Sequence, residues 1–217
     1  VHPFWGPRRL FFQLNVESLP AGQSVQTFPR ERSAVDLAVL AGVQSAWSQS
    51  VEWPRTDWTG SPAVTVEPGA EQMVFETGTA GLLPEWRLSV LPAEPGGWTP
   101  LEKEKLLQDI VVRVRYDGQD QASVEVPLGD LFGNAWRARY YGALLLGSGP
   151  DGFRFGFPMA FAKGCRISLL NGGAKPVAAR FQGTPAPLPE KPTAYLHAEW
   201  RRSGPAAGNR HTVTDIK

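Results

Sequence analysis

The sequence predicts an all-β fold, a sandwich of about ten to twelve short strands with two short helices. Three observations carry this. Glycine and proline, 23 and 20 residues of 217, make up about a fifth of the chain, more breaker chemistry than a helical bundle tolerates. Short apolar or alternating runs recur between turn signals along most of its length. Hydrophobic residues reach 42% against 20% charged, enough to bury a core and too apolar for a disordered chain.

Taken in order, Arg9 to Glu17 is rich in Phe and Leu and reads as a buried strand. A turn at Leu19–Gly22 follows, then a short strand from Gln23 to Phe28. Val35, Ala38, Val39, Gly42 and Ala46 recur at helical spacing after Ser33, a suitable N-cap, and predict a helix to about Trp47. Residues 63–67, 72–76 and 85–91 read as strands. Thr99-Pro100-Leu101-Glu102 has the form of a capping box with proline at the first helical position, so a short helix should run from about 100 to 108.

A dense β region follows. Ile110–Tyr116 alternates apolar and basic residues, and Asp117-Gly118 makes a tight turn into a strand at 122–126. Further strands are predicted at 153–157, 166–170, 177–181, 195–200 and 211–216, with Asn171-Gly172-Gly173 as a hairpin-type turn. A break near residue 98 divides the chain into 1–98 and 99–217. The chain opens on Val1 without an initiator Met and closes in an unfinished alternating run, so it reads as a piece of something longer.

Composition narrows the function. The formal net charge is +1 and no Lys/Arg run breaks the balance, which argues against a nucleic-acid or membrane-surface footprint. No apolar stretch approaches the roughly 18–20 residues that span a bilayer. Cys165 is the single cysteine, which excludes a disulfide scaffold. The three histidines are far apart and no metal-ligand spacing occurs, so neither metal nor cofactor is expected. No Gly-x-Ser-x-Gly elbow exists, and Gly147-Ser148-Gly149 reads as a loop.

Eight tryptophans are the compositional oddity. Indole rings stack on the C–H faces of sugars, yet large aromatics also simply fill a wide sandwich core. Glu125 and Asp130 flank Pro127-Leu128-Gly129, and a carboxyl pair is what sugar hydrolysis requires. The spacing leaves open a plainer reading, with Asp130 as a turn residue and Glu125 on a solvated strand face. In His197-Ala198-Glu199-Trp200, alternation sends His197 and Glu199 to one face and Trp200 to the other. Arg201 and Arg202 follow, placed either to bind hydroxyls or an anion or to solvate a strand end.

Four ordered motifs then carry a resemblance. They are Val114–Gly118 with Ser123–Gly133, Phe157–Phe161, Ala162–Leu169 and Tyr195–Arg202, with Thr212–Ile216 and, less closely, Phe11–Asn15 and Leu19–Val25 in support. Together they resemble glycoside hydrolase family 172. The resemblance implies parts of a double jelly roll: residues 1–98 as the latter part of a first roll with a helical insertion, and 99–217 as a second roll incomplete at its end. It also implies a retaining furanosidase acting on α-D-fructofuranosides or D-arabinofuranosides, exported to the periplasm or beyond, and assembled as a homotrimer or trimer-based oligomer. Its partner would be a furanose-containing oligosaccharide, with no nucleic acid and no membrane.

The catalytic glutamates of that family lie in Gly-Glu-Gly-Asp and Gly-Thr-Glu-Asp-Tyr type motifs, which these 217 residues do not contain. No catalytic residue is therefore carried over, and Glu125 and Glu199 are not the catalytic pair. Asp130, Phe132, His197, Trp200 and Arg201 are the candidates for shaping the sugar pocket. The alternative function is a non-catalytic jelly-roll protein that binds carbohydrate or serves assembly.

Overall fold

A computed structural model describes residues 20–24, 31–51, 56–94, 96, 98–135, 137–188, 192 and 194–201. The strands predicted at 9–17 and 211–216, and most of that at 23–28, lie outside the described residues. The chain divides into two compact units, Val1–Leu40 and Ala41–Lys217. Of the first, the described part is a turn closed by Gln23 N–H on the Pro20 carbonyl at 3.1 Å and the opening of helix α1 (Ala34–Val51). Ser33 caps that helix as predicted: its hydroxyl accepts from the Asp36 N–H at 3.2 Å, and its own N–H donates to the Asp36 carboxylate at 3.1 Å.

The second unit holds the sandwich. Its strands are β1 (Val64–Val66), β2 (Glu71–Thr77), β3 (Gly81–Leu83), β4 (Trp86–Pro92), β5 (Ile110–Tyr116), β6 (Val124–Pro127), β7 (Tyr141–Gly142), β8 (Leu146–Gly149), β9 (Gly152–Phe155), β10 (Met159–Phe161), β11 (Cys165–Asn171), β12 (Val177–Gly183) and β13 (Ala198–Glu199). Helix α2 (Pro100–Asp109) precedes β5, and the four-residue α3 (Leu128–Leu131) follows β6.

One sheet runs β1-β12-β4-β9-β8-β7 and the other β13-β6-β5-β11-β2, with β3 and β10 paired separately. Leaving out β3, β7, β8, β10 and β13, eight strands remain. In chain order, the first sheet then reads first, eighth, third, sixth, and the second reads fifth, fourth, seventh, second. That interleaving is the strand order of a jelly-roll β-sandwich. One complete roll thus spans Val64 to Gly183. Residue 98 falls between its third and fourth strands, and strands from both sides of it pair in both large sheets.

The core lies between the sheets. Trp86 is 1% exposed and sits at its centre, stacked on Phe155 at 4.7 Å and meeting Phe132 edge-on at 5.8 Å. Its indole N–H points at the Met159 sulfur, 3.4 Å away. Phe75 of β2 meets Phe181 of β12 at 5.0 Å, bridging the two sheets. In β5, inward Ile110, Val112, Val114 and Tyr116 are buried while Val111, Arg113 and Arg115 face out, the alternation a one-sided sheet demands.

Several sequence readings are refined. Asp117-Gly118 makes the β5–β6 turn with φ of 55° and 78°, the left-handed pair that a type I′ hairpin needs. Asn171-Gly172-Gly173 is not a hairpin, because β11 and β12 belong to different sheets. It is a corner, held by the Asn171 amide donating to the Val66 and Lys175 carbonyls, both at 2.9 Å. Gly147-Ser148-Gly149 is not a loop but part of β8, paired with β9. The Thr99 capping box forms as predicted and launches α2. The turn predicted around Asp130 tightens into α3, a third helix.

Candidate functional site

A groove of about 1350 Å³ opens over β6 and the edge strand β13 of the second sheet. Ser123, Glu125 and Pro127, at alternate positions, form its floor. Lys105, Gln108 and Asp109 of α2 line one side, Asp130 of α3 lies among them, and residues 197–201 complete it.

Each side chain has a local reason for its place. β13 lies parallel to β6, with Ala198 opposite Val124 and Glu199 opposite Glu125. The Ala198 N–H donates to the Ser123 carbonyl at 3.0 Å, and the Trp200 N–H to the Glu125 carbonyl at 3.2 Å. A two-residue strand is a weak anchor, and Tyr195 strengthens it: its hydroxyl donates to Asp117 Oδ2 at 2.6 Å. Asp117 Oδ1 meanwhile accepts from the Lys163 N–H at 2.6 Å and the Gly164 N–H at 3.1 Å. Burial works against ionisation of this carboxyl, but those donors outweigh it and hold the group below the usual range.

Asp130 is aimed by the packing of its neighbour. A Cβ on Gly129 would lie 2.9 Å from the Asn134 carbonyl and 3.0 Å from the Leu107 side chain, so α3 presses on α2 as only glycine allows. Asn134 is 2% exposed. Its N–H donates to the Gly129 carbonyl at 2.6 Å and its amide to the Ser148 hydroxyl at 2.8 Å, which locks the turn. Among the described residues no hydrogen-bond partner is found for the Asp130 carboxylate.

The other groove carboxylates are paired. Asp109 meets Lys105 at 2.6 Å. Glu125 accepts from Arg113 at 2.9 Å, and Glu199 from Arg201 at 2.8 Å. The Arg201 guanidinium holds the Glu199 carboxyl below the usual glutamate range. Arg113 also donates to Glu71 at 2.6 Å, and Glu71 accepts further from Arg115 and from the Ser168 hydroxyl. Burial alone would raise the Glu71 pKa, yet these donors bring it to about 2.

Four of the five candidate residues come together here: Asp130, His197, Trp200 and Arg201 all line the groove. Trp200 is 44% exposed, an open indole beside carboxylates. Alternation had put it on the face opposite His197 and Glu199, but β13 ends at Glu199 and all three reach the groove. Phe132 does not line it. It is 0% exposed and packs on Phe153 at 4.8 Å, because the helical turn of α3 directs it into the core. Sequence reasoning missed Lys105, Gln108 and Asp109. Their signal lay at the end of the predicted 100–108 helix, where Lys105 and Asp109, four residues apart, mark one face.

Among the described residues no group of three His, Cys, Asp or Glu side chains is placed to hold a metal ion. Burial, then the nearby Asp117 charge, pushes the Cys165 thiol up to about 12, so it stays protonated and is no nucleophile. The groove thus brings together carboxylates, an indole face, an imidazole and basic side chains around an open cleft, an acceptor-rich lining.

Fold and site together define a jelly-roll β-sandwich with a polar, aromatic-bearing groove at one sheet edge. The profile of the family described as GH172 domain-like matches residues 58–183, more than half of the chain. The chain belongs to that family, one of glycoside hydrolases. The match ends at the last strand of the roll, so Glu125 and Asp130 lie inside it and residues 194–201 beyond it. No curated protein matches the chain.

Proposed function

We propose that this chain is the groove-bearing part of a retaining glycoside hydrolase acting on furanosides, either α-D-fructofuranosides or D-arabinofuranosides. The observation that carries the reading is the convergence of Asp130, His197, Trp200 and Arg201 on one open groove of a GH172 domain-like roll. In this reading Trp200 stacks on the C–H face of the ring. Asp130 accepts a ring hydroxyl, while His197 and Arg201 orient the remaining oxygens.

The reaction is a two-step displacement through a glycosyl-enzyme intermediate. Its nucleophile and acid are the glutamates of the family motifs outside these residues, reaching the groove from elsewhere in the protein or from a neighbouring subunit of a trimer-based assembly. The contribution of this chain is binding and orientation. A second reading, carbohydrate binding without turnover, is favoured by the state of the groove's own carboxylates. Glu125 and Glu199 each have an arginine partner, and Glu199 is held ionised rather than poised as an acid.

Calorimetric titration of methyl α-D-fructofuranoside and methyl α-D-arabinofuranoside against the chain tests both, alongside product analysis. Saturable binding that Trp200→Ala weakens about tenfold or more supports the groove as the sugar site. Binding unaffected by Trp200→Ala or Asp130→Asn would contradict it. Turnover by this chain alone would contradict the assignment of the catalytic pair to other motifs.

A further inference from the structure

We infer that Glu125 is a further ligand-contacting residue of this groove, accepting from a vicinal diol together with Glu199, and that Arg113 is the residue that positions it. The inference rests on the reading of the groove as a sugar site, and it narrows the ligand to neutral polyhydroxy compounds.

Glu125 and Glu199 are Cα partners across the parallel β6–β13 pair, so their side chains leave the same face of strands about 4.8 Å apart. Both line the groove. One oxygen of each is engaged, Oε1 of Glu125 by Arg113 and Oε2 of Glu199 by Arg201. A carboxylate oxygen only accepts, so the second oxygen of each, on a side chain open to solvent, can take a donor from a ligand. Two acceptors at strand spacing suit two neighbouring hydroxyls, each reaching about 2.7 Å. The same pair repels a ligand that brings its own carboxylate or phosphate.

Arg113 makes this arrangement specific. Side-chain exposure falls from 50% at Glu125 to 21% at Arg113, so the glutamate faces the groove and the arginine supports it. The other end of Arg113 is fixed on Glu71, which Arg115 and Ser168 hold in turn. Arg115 is anchored by its Nε–H on the Asp120 carbonyl at 2.9 Å. Glu125 is thus the exposed end of a ladder running back across three further strands.

The test titrates four probes against wild type, Glu125→Gln, Arg113→Lys and Arg113→Met, with thermal melts alongside. The probes are the two methyl furanosides, methyl α-D-mannopyranoside as a neutral diol of another ring form, and glucuronate as an anionic pyranose. Glu125→Gln should weaken neutral sugars about ten- to hundredfold with little change in Tm, and glucuronate should not bind wild type. Arg113→Met should lower affinity, with Arg113→Lys recovering part of the loss; a purely structural arginine would shift Tm and leave affinity alone. Furanoside binding that Glu125→Gln leaves intact overturns this inference while the furanoside reading stands. Mannopyranoside binding lost in Glu125→Gln, without furanoside binding, upholds the inference and overturns the furanoside reading. Binding of no neutral sugar overturns both.

Discussion

The Tyr195 hydroxyl donates to Asp117 Oδ2 at 2.6 Å, across 78 positions of sequence. Asp117 begins the β5–β6 turn, and Tyr195 stands two residues before the His197–Arg201 wall of the groove. A hairpin turn therefore fixes the wall of a binding cleft. A tilted ring contact of Tyr195 with Tyr116, centroids 5.3 Å apart, adds to the hold.

Tyr195→Phe should loosen that wall without unfolding the roll. The expected result is faster hydrogen exchange at the Ala198 and Trp200 amides, with sugar affinity down several-fold and exchange in β4 and β11 unchanged. Equal protection at Ala198 and Trp200 in both proteins would show that the strand hydrogen bonds alone hold the wall.

Acid should weaken the fold through Glu71 and Asp117. Both have folded pKa values depressed below their unfolded ones, so the stability they contribute is complete above roughly pH 5 and is lost as pH falls through the folded values. For Glu71 that value is about 2. Melts from pH 7 to pH 2 should show Tm falling from about pH 5 downward, and Glu71→Gln should flatten that decline. An unchanged decline in Glu71→Gln would remove the ladder from the account of acid stability.

Gly129→Ala should displace α3 and with it Asp130. The added methyl meets the Asn134 carbonyl and Leu107 within 3.0 Å, an overpacking cost of about 1–3 kcal/mol. Denaturant unfolding should report that loss, and sugar affinity should fall because Asp130 moves. Stability and affinity matching wild type would show that α3 and α2 can separate freely.

Phe132 should separate core from groove. Phe132→Ala is expected to cost about 3–5 kcal/mol, through lost packing on Trp86 and Phe153. The milder Phe132→Leu keeps a large apolar side chain, so it should cost less than Phe132→Ala and leave affinity unchanged. A Phe132→Leu protein of wild-type stability but altered affinity would return Phe132 to the site.

Much of the sandwich was legible because its signals are local. The β5 alternation, the Asp117-Gly118 turn and the Thr99 capping box each depend on a few neighbouring residues. Sheet membership was not legible: Asn171-Gly172-Gly173 looks like a hairpin turn, and only the partners of β11 and β12 make it a corner. The border read at residue 98 has the same origin, since a helix start changes the local pattern while the long-range strand order runs through it. In the site, Asp130 and the 195–201 segment stood out by residue type. Phe132 stands only two residues past the groove residue Asp130, yet the turn of α3 carries it into the core. The Glu125–Glu199 register arises from a parallel two-residue pairing that no periodicity reveals.

The central claim is that the cleft between α2, β6 and residues 197–201 is the sugar site. Backbone amide chemical-shift mapping, with methyl α-D-arabinofuranoside and methyl α-D-fructofuranoside titrated in turn, tests it most directly. The account predicts saturable shifts concentrated at 123–127, 130 and 197–201, abolished or strongly reduced in Trp200→Ala. Shifts clustered elsewhere on the roll, or no saturable shift at those residues with either sugar, would contradict it.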